Sequence, residues 1–269
     1  MSAPSFDLTD RVALVTGGSR GLGRSIALGL AASGADVIVA SRDLVSCEAT
    51  AAEVTSTTGR RALPVSCHVG DWAQLDALVE TAYDELGRVD VLVNNAGMSP
   101  LYDRLTAVTE ALWEKVFAVN VRAPFRLSAL IGERMAAGAG GSIVNIGSIA
   151  SDWPRPDAIP YGAAKAGVIH LTSALAFAYG PKVRVNCVQP GAFLTDIAAD
   201  WDMEVFARHA EGLALRRGGT PDEIVGAVVY LASDASSYTT GATLRVDGGY
   251  WQPATNVDAP RTPQMTRQG

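Results

Sequence analysis

Tyr161 and Lys165 stand four residues apart in Tyr161-Gly162-Ala163-Ala164-Lys165, with Ser148 thirteen positions earlier. On a helix, that spacing puts the two side chains on one face, one above the other. An ammonium then lies beside a phenol whose unperturbed pKa is about 10. A nearby cation favours the phenolate, so the expectation is a phenol whose pKa falls toward working pH. Such a phenol serves as a general acid or base. The same spacing also describes a surface lysine beside a half-buried tyrosine, so the elements around it have to decide.

Those elements read as alternating strands and helices. Val12-Ala13-Leu14-Val15 is an apolar run that stops at Thr16-Gly17-Gly18-Ser19-Arg20-Gly21-Leu22-Gly23, and a helical stretch over 25–32 follows, closed by Gly34. Strand, glycine-rich turn and helix open a dinucleotide-binding unit. Glycines admit a pyrophosphate close to the backbone, and the helix N-terminus offers free N–H groups and a positive dipole end. A second strand, 36–40, runs into Ser41-Arg42-Asp43. An acidic residue near this strand end suits the ribose hydroxyl of NAD, whereas a guanidinium suits a 2′-phosphate. Arg42, with Arg20 reaching from the other side, favours NADP(H); NAD(H) stays open because Asp43 could turn inward.

A helix over 47–58 and a strand over 62–66 come next. Asp71 is a predicted N-cap for a helix through Leu86, and a strand over 89–93 opens into Asn94-Asn95-Ala96-Gly97. Thr109 to Met135 reads as a long helix interrupted at Asn120 and at Pro124, where a kink would free a carbonyl for water. A fifth strand, 142–146, ends at Gly147-Ser148, and the helix bearing Tyr161 and Lys165 runs to about Gly180. A sixth strand, 183–188, ends in Gln189-Pro190-Gly191. Thr220 and Pro221 start a helix to Ser233, and a last strand, 242–246, precedes Asp247-Gly248-Gly249. Near-continuous apolar strands between helices indicate a parallel sheet covered on both faces, with ligands outside the carboxyl ends of the strands.

Composition narrows the class. The chain has 269 residues and a net charge of -6, with 48% hydrophobic and 19% charged residues. That acidic balance argues against a nucleic-acid surface. Cys47, Cys67 and Cys187 are odd in number and widely spaced, which suggests buried thiols in a reducing compartment. Residues 1–10 lack a basic segment followed by an apolar run, and no run reaches membrane-spanning length. A cytoplasmic protein without membrane contact is expected. Residues 8–250 read as one domain. Its segment 193–219 is either a lid or an ordinary packed helix, and 251–269 form a polar tail. His68 has no second ligand at useful spacing, so no metal site is expected.

Taken together, residues 8–250 resemble the short-chain dehydrogenase/reductase family, in its 3-oxoacyl-reductase-like or sugar-acid-dehydrogenase-like branch. Thr16-Gly17-x-x-x-Gly21-x-Gly23 is similar to the family's cofactor turn, and Asn94-Asn95-Ala96-Gly97 to its fourth-strand motif. Asn120, Ser148, Tyr161 and Lys165 fall at the order and spacing of its catalytic tetrad. Pro190-Gly191 with Thr195 resembles the segment that holds the nicotinamide carboxamide, and Asp247-Gly248-Gly249 the C-terminal signature. The resemblance implies a doubly wound α/β Rossmann fold with a seven-stranded parallel sheet in the order 3-2-1-4-5-6-7, and a homotetramer or homodimer. Contacts to the cofactor are then expected from Gly17, Ser19, Arg20, Gly21, Leu22, Gly23, Ser41, Arg42, His68, Val69, Asn94, Ala96, Gly97, Tyr161, Lys165, Pro190, Gly191, Phe193 and Thr195. Two positions depart from the family pattern: His68-Val69 replaces an Asp-Val pair, and Phe193 replaces a smaller aliphatic residue, which would narrow the nicotinamide side.

The expected chemistry interconverts a carbonyl and a secondary alcohol on a small-molecule substrate. Nicotinamide supplies hydride, Tyr161 the proton, and Ser148 a hydrogen bond to the carbonyl oxygen. Lys165 lowers the Tyr161 pKa and ties the ribose, while Asn120 holds a water leading protons to Lys165. The alternatives on this fold are a non-redox lyase, epimerase or dehydratase, and a nucleotide-sensing binding protein. Apolar residues after Phe193 suit a medium-sized ketone. Arg122, Arg126 and Arg155 could meet an acidic acyl carrier, and Arg155 alone the carboxylate of a sugar acid.

Overall fold

A computed structural model describes residues 5–196 and 203–250. Seven strands form one parallel sheet in the order β3-β2-β1-β4-β5-β6-β7. They are β1 (Val12–Thr16), β2 (Asp36–Ser41), β3 (Ala62–Ser66), β4 (Val91–Asn94), β5 (Gly141–Ile146), β6 (Val183–Pro190) and β7 (Thr243–Val246). The expected order and direction are both found.

Because strand side chains alternate, each central strand feeds two cores. Ala13 and Val15 of β1, with Val37 and Val39 of β2, face one layer. Its helices are α1 (Gly21–Ala32), α2 (Leu44–Thr58) and α8 (Val225–Ala232), which contribute Ile26, Leu30, Val54 and Val228. Val12, Leu14 and Ile38 face the other layer. There α3 (Trp72–Leu86) and α5 (Ala123–Ala137) supply Leu75, Val79, Leu127 and Ile131. Each such side chain contributes about 1.5–3 kcal/mol by leaving water, which holds the strand ends, and the turns on them, in fixed relation.

Local chemistry starts and stops the helices where the sequence predicts. The Asp71 carboxylate accepts from the N–H groups of Ala73 and Gln74, capping α3, and Gly87 ends it in the left-handed region. Thr220 and Glu223 form a capping box ahead of α8, with Pro221 in the first turn. The long helical stretch is resolved into α4 (Glu110–Phe117), a π-helical turn over Ala118–Arg122, and α5. The irregularity thus lies at Asn120 itself. Pro124 sits in the first turn of α5, where its missing N–H is best tolerated.

The remaining helices are α6 (Ile159–Tyr179) and α7 (Met203–Ala210). The lid reading of 193–219 falls partly on residues 197–202, outside the described residues, as does the tail 251–269. Among the described residues, no helix is long and apolar enough to cross a membrane.

Candidate active site

The glycine-rich turn joins β1 to α1. Gly17 and Gly21 have φ of +63° and +52°, and a Cβ on Gly23 would lie 2.0 Å from the Gly17 carbonyl oxygen. Glycine is therefore required here for conformation at two positions and for close approach at the third. Arg20, the N-cap of α1, makes no side-chain cap, and the first turn carries no acidic residue. The first N–H groups of α1 thus keep their capacity to bind an anion. Beside them lies a cavity of about 370 Å³ lined by residues that include Ser19, Arg20, Gly21, Leu194 and Thr195. Thr195 touches the turn, since a Cβ on Gly21 would meet its side chain at 3.4 Å. A turn that excludes Cβ atoms, a free helix N-terminus and the arginines Arg20 and Arg24 in the cavity lining fit a phosphorylated dinucleotide.

At the end of β2, the Ser19 and Ser41 hydroxyls are bonded at 2.8 Å, tying the turn to the strand that carries the exposed Arg42. Asp43 turns to the Ser46 hydroxyl at the start of α2 instead. After β3, Nδ1 of His68 accepts from the N–H of Gly70 at 3.0 Å, which leaves the ring proton on Nε2. Val69 is buried in the core.

At the β4 end the two asparagines take different partners. The Asn94 amide points inward and donates to Ser128 Oγ at 3.1 Å and Asn145 Oδ1 at 2.8 Å. Asn95, named in the fourth-strand motif but not among the expected cofactor contacts, donates to the carbonyls of Thr16 at 2.9 Å and Gly17 at 3.2 Å. Thr16 Oγ1 in turn accepts from the N–H groups of Asn95 and Ala96. Asn95 and Thr16 thus lock the glycine-rich turn against β4. Gly191 packs against Asp247, and the Phe193 ring is buried against Gly219. Its bulk is therefore taken up inside the domain, on the first-layer core.

Asn120, Ser148, Tyr161 and Lys165 converge beyond β4 and β5. A Cβ on Gly97 would lie 3.1 Å from Asn120 Oδ1 and 3.6 Å from Lys165 Nζ. Asn120 is fully buried; its amide donates to the carbonyls of Met98 and Val116, each at 2.9 Å. Lys165 Nζ donates to the Ile146 carbonyl at 2.7 Å and lies 5.8 Å from the Tyr161 ring centroid. Ser148 Oγ accepts from the Ala150 N–H at 3.1 Å, so its own proton remains free for the phenol beside it. Gln189, buried on β6, donates to the Ser148 carbonyl, Ser151 Oγ and Asp152, and Arg245 of β7 grips Asp152 at 2.7 Å.

The electrostatics correct one expectation. Tyr161 has its pKa raised rather than lowered, because burial penalises the phenolate more than the Ser148 hydrogen bond and the Arg155 charge favour it. Lys165 is not among the groups that shift the phenol; burial acts on its own ammonium too, pulling it down to about 8, and one of its three N–H donors is held by the Ile146 carbonyl. The cation acting on the phenol is Arg155, which Asp157 holds through Nε and NH2 at 3.0 and 2.6 Å.

The chain is similar to several known proteins. The family model described as Enoyl-(Acyl carrier protein) reductase matches residues 17–251. Dehydrogenase/reductase SDR family member 4 of Homo sapiens is 37% identical over 249 residues, covering 90% of this chain and 88% of the relative. A 3-oxoacyl-(acyl-carrier-protein) reductase of Synechocystis is likewise 37% identical, over 90% of this chain and 97% of its own length. Among solved structures, L-sorbose reductase of Gluconobacter frateurii, complexed with NADPH and L-sorbose, superposes with a TM-score of 0.87 at 28% identity, covering 93% of this chain and 100% of that one. On sequence and sheet order together, the chain belongs to the short-chain dehydrogenase/reductase family of oxidoreductases.

Proposed function

We propose that the protein is an NADP(H)-dependent oxidoreductase that interconverts a ketone and a secondary alcohol through Asn120, Ser148, Tyr161 and Lys165. The observation that carries this reading is the approach of Lys165 Nζ and Asn120 Oδ1 to one glycine, Gly97. It brings β4, the π turn and α6 together where the glycine-rich turn also opens. NADP(H), when bound, supplies or accepts the hydride at the carbonyl carbon. Tyr161 gives its proton to the carbonyl oxygen, and its raised pKa keeps that proton in place at neutral pH. Ser148 donates to the same oxygen and steadies the charge that develops there. Lys165 relays a replacement proton to Tyr161 and bonds the ribose hydroxyls, and Asn120 holds the π turn through which water reaches Lys165.

NADP(H) is favoured over NAD(H) by three features at the β2 end. Ser41 stands where an acid would repel a 2′-phosphate, Arg20 and Arg42 flank it, and Asp43 is turned to Ser46. The NADPH complex of the sorbose reductase supports the same choice. An acyl-carrier substrate has weaker support, because all three candidate arginines are engaged within the chain. Arg122 donates to the Gly70 carbonyl, Arg126 pairs with Asp76 and Arg155 with Asp157. A medium-sized ketone or ketose is therefore the preferred substrate class.

Exposed Phe125 and Phe177, on α5 and α6, and the exposed edge strand β7 support assembly as a homotetramer or homodimer. Three free, buried cysteines suit a cytoplasmic location. A panel of ketones, ketoses, sugar acids and 3-oxoacyl thioesters, followed by NADPH absorbance, tests the reading. Turnover on a ketone or ketose supports it; NADPH binding with no change in absorbance on any member contradicts it.

A further inference from the structure

The helix that carries Tyr161 begins without a cap of its own. Its N-cap position is Ala158, which has no side-chain oxygen to offer, and its second residue is Pro160, which has no N–H. The first N–H of α6, on Ile159, is instead met from outside. It donates at 2.8 Å to the hydroxyl of Tyr102, and that hydroxyl donates its own proton at 2.8 Å to the carbonyl of Pro156. Tyr102 lies 54 and 57 positions away from these partners, in the loop that follows Gly97. One oxygen therefore closes both ends of the turn 156–159, two residues before Tyr161.

We infer that Tyr102 is a positioning residue for Tyr161: a cap supplied in trans from the β4 loop, which sets where the N-terminal turn of α6 sits relative to Ser148. The inference rests on the reading of Tyr161 as the proton donor. The loop from Ser148 to Ala158 is anchored at its start by Gln189 and Asp152, which bond Ser148, Ser151 and Arg245. At its end the anchor is Tyr102, while the Arg155–Asp157 pair braces the loop from within. Arg155 and Ser148 both act on the phenol, and both belong to this loop. Releasing its far end moves Arg155 and shifts the Tyr161 turn relative to the anchored Ser148, without removing either group.

The same clasp joins the loop after β4 to the loop after β5. Asn120 bonds both the N–H and the carbonyl of Met98, four residues before Tyr102. Tyr102 thereby ties the Asn120 side of the site to the Tyr161 side.

Tyr102→Phe keeps the ring and deletes the one oxygen. Hydrogen–deuterium exchange on the full chain should show at least tenfold faster exchange over 156–161, centred on the Ile159 amide, with β5 and α6 beyond Lys165 unchanged. In the NADPH assay, kcat should fall at least tenfold at saturating ketone while the Kd for NADPH changes less than twofold. In alcohol oxidation, the rise of kcat with pH should move to higher pH, as weaker Ser148 and Arg155 contacts leave the phenol harder to ionise. A purely structural tyrosine would lower melting temperature and leave both kcat and this pH limb in place, which overturns the inference. Unchanged exchange at Ile159 overturns it too. A wild-type protein inert on the whole panel would sink the proposed reaction instead, and the exchange result would still decide the clasp.

Discussion

Replacing Lys165 with methionine should make the protein more stable at neutral pH while abolishing its chemistry. The lysine is 3% exposed, and its pKa is drawn from 10.5 down to about 8, chiefly by burial. A shift of this size corresponds to about 3 kcal/mol that the folded state spends keeping the ammonium charged at pH 7. Methionine removes that cost and fills the same volume, but loses the charge-assisted hydrogen bond to the Ile146 carbonyl, about 2 kcal/mol. The expected net gain is about 1 kcal/mol at pH 7. The folded pKa lies below the unfolded one, so between about pH 8 and 10.5 the unfolded chain binds more protons. Wild-type stability then rises with pH through this window. The stability of Lys165→Met relative to wild type should accordingly fall by about 2–3 kcal/mol between pH 7 and pH 10. Urea titrations of both proteins at equal protomer concentration, at the two pH values, measure this directly. A variant less stable than wild type by the same amount at both pH values would refute the reasoning, because Lys165 would then stabilise the fold rather than burden it. That a fold retains a burden of this size at one residue is expected where the residue serves a reaction.

Three further outcomes follow from the same geometry. Arg42→Asp should weaken NADPH binding by about 10- to 100-fold, the worth of a charge-assisted contact, and NADH binding by far less; titration by fluorescence with both nucleotides reads this, and equal losses would reject the assignment of Arg42 to a 2′-phosphate. Gly23→Ala puts a Cβ 2.0 Å from the Gly17 carbonyl oxygen and 2.5 Å from Asn95 Nδ2, so it should cost about 1–3 kcal/mol or more in urea unfolding and disable NADPH binding; a variant with wild-type affinity would contradict the close packing of the turn on β4. Arg155→Gln removes a charge that favours the Tyr161 phenolate, so the rise of alcohol oxidation with pH should move to higher pH. An unmoved limb would show that Arg155 has no influence on the phenol.

The parts of the site that were legible in the sequence are those whose chemistry is local. Glycines at 17, 21 and 23, an Asp71 cap and a Tyr-Lys pair one helical turn apart carry their meaning within a few residues; alternating apolar strands and helices indicate a parallel sheet, while its strand order is what the family resemblance implies. What the sequence hid depends on contacts between distant segments or on burial. Asn94 and Asn95 are adjacent and chemically identical; only the pairing of β4 with β1 and β5 decides that one bonds Asn145 and the other the Thr16 carbonyl. Tyr102 has no motif around it, and its partners lie more than fifty residues on. Asn120 and Pro124 both announced an irregular helix, but which of them breaks it depends on the π turn. The direction of the Tyr161 shift was misread because spacing shows a neighbouring charge and does not show desolvation, and here desolvation wins.

The central claim is that Tyr161 gives the proton to a carbonyl that receives hydride from NADPH, and Tyr161→Phe tests it most directly. The ring, the helix and the cofactor cradle all remain, and only the acid is lost. On the best ketone of the panel, NADPH binding should hold within about twofold, while the rate of NADPH consumption falls by about 10²–10⁴-fold, the usual contribution of a positioned general acid. A variant that binds NADPH and consumes it at the wild-type rate would contradict the account.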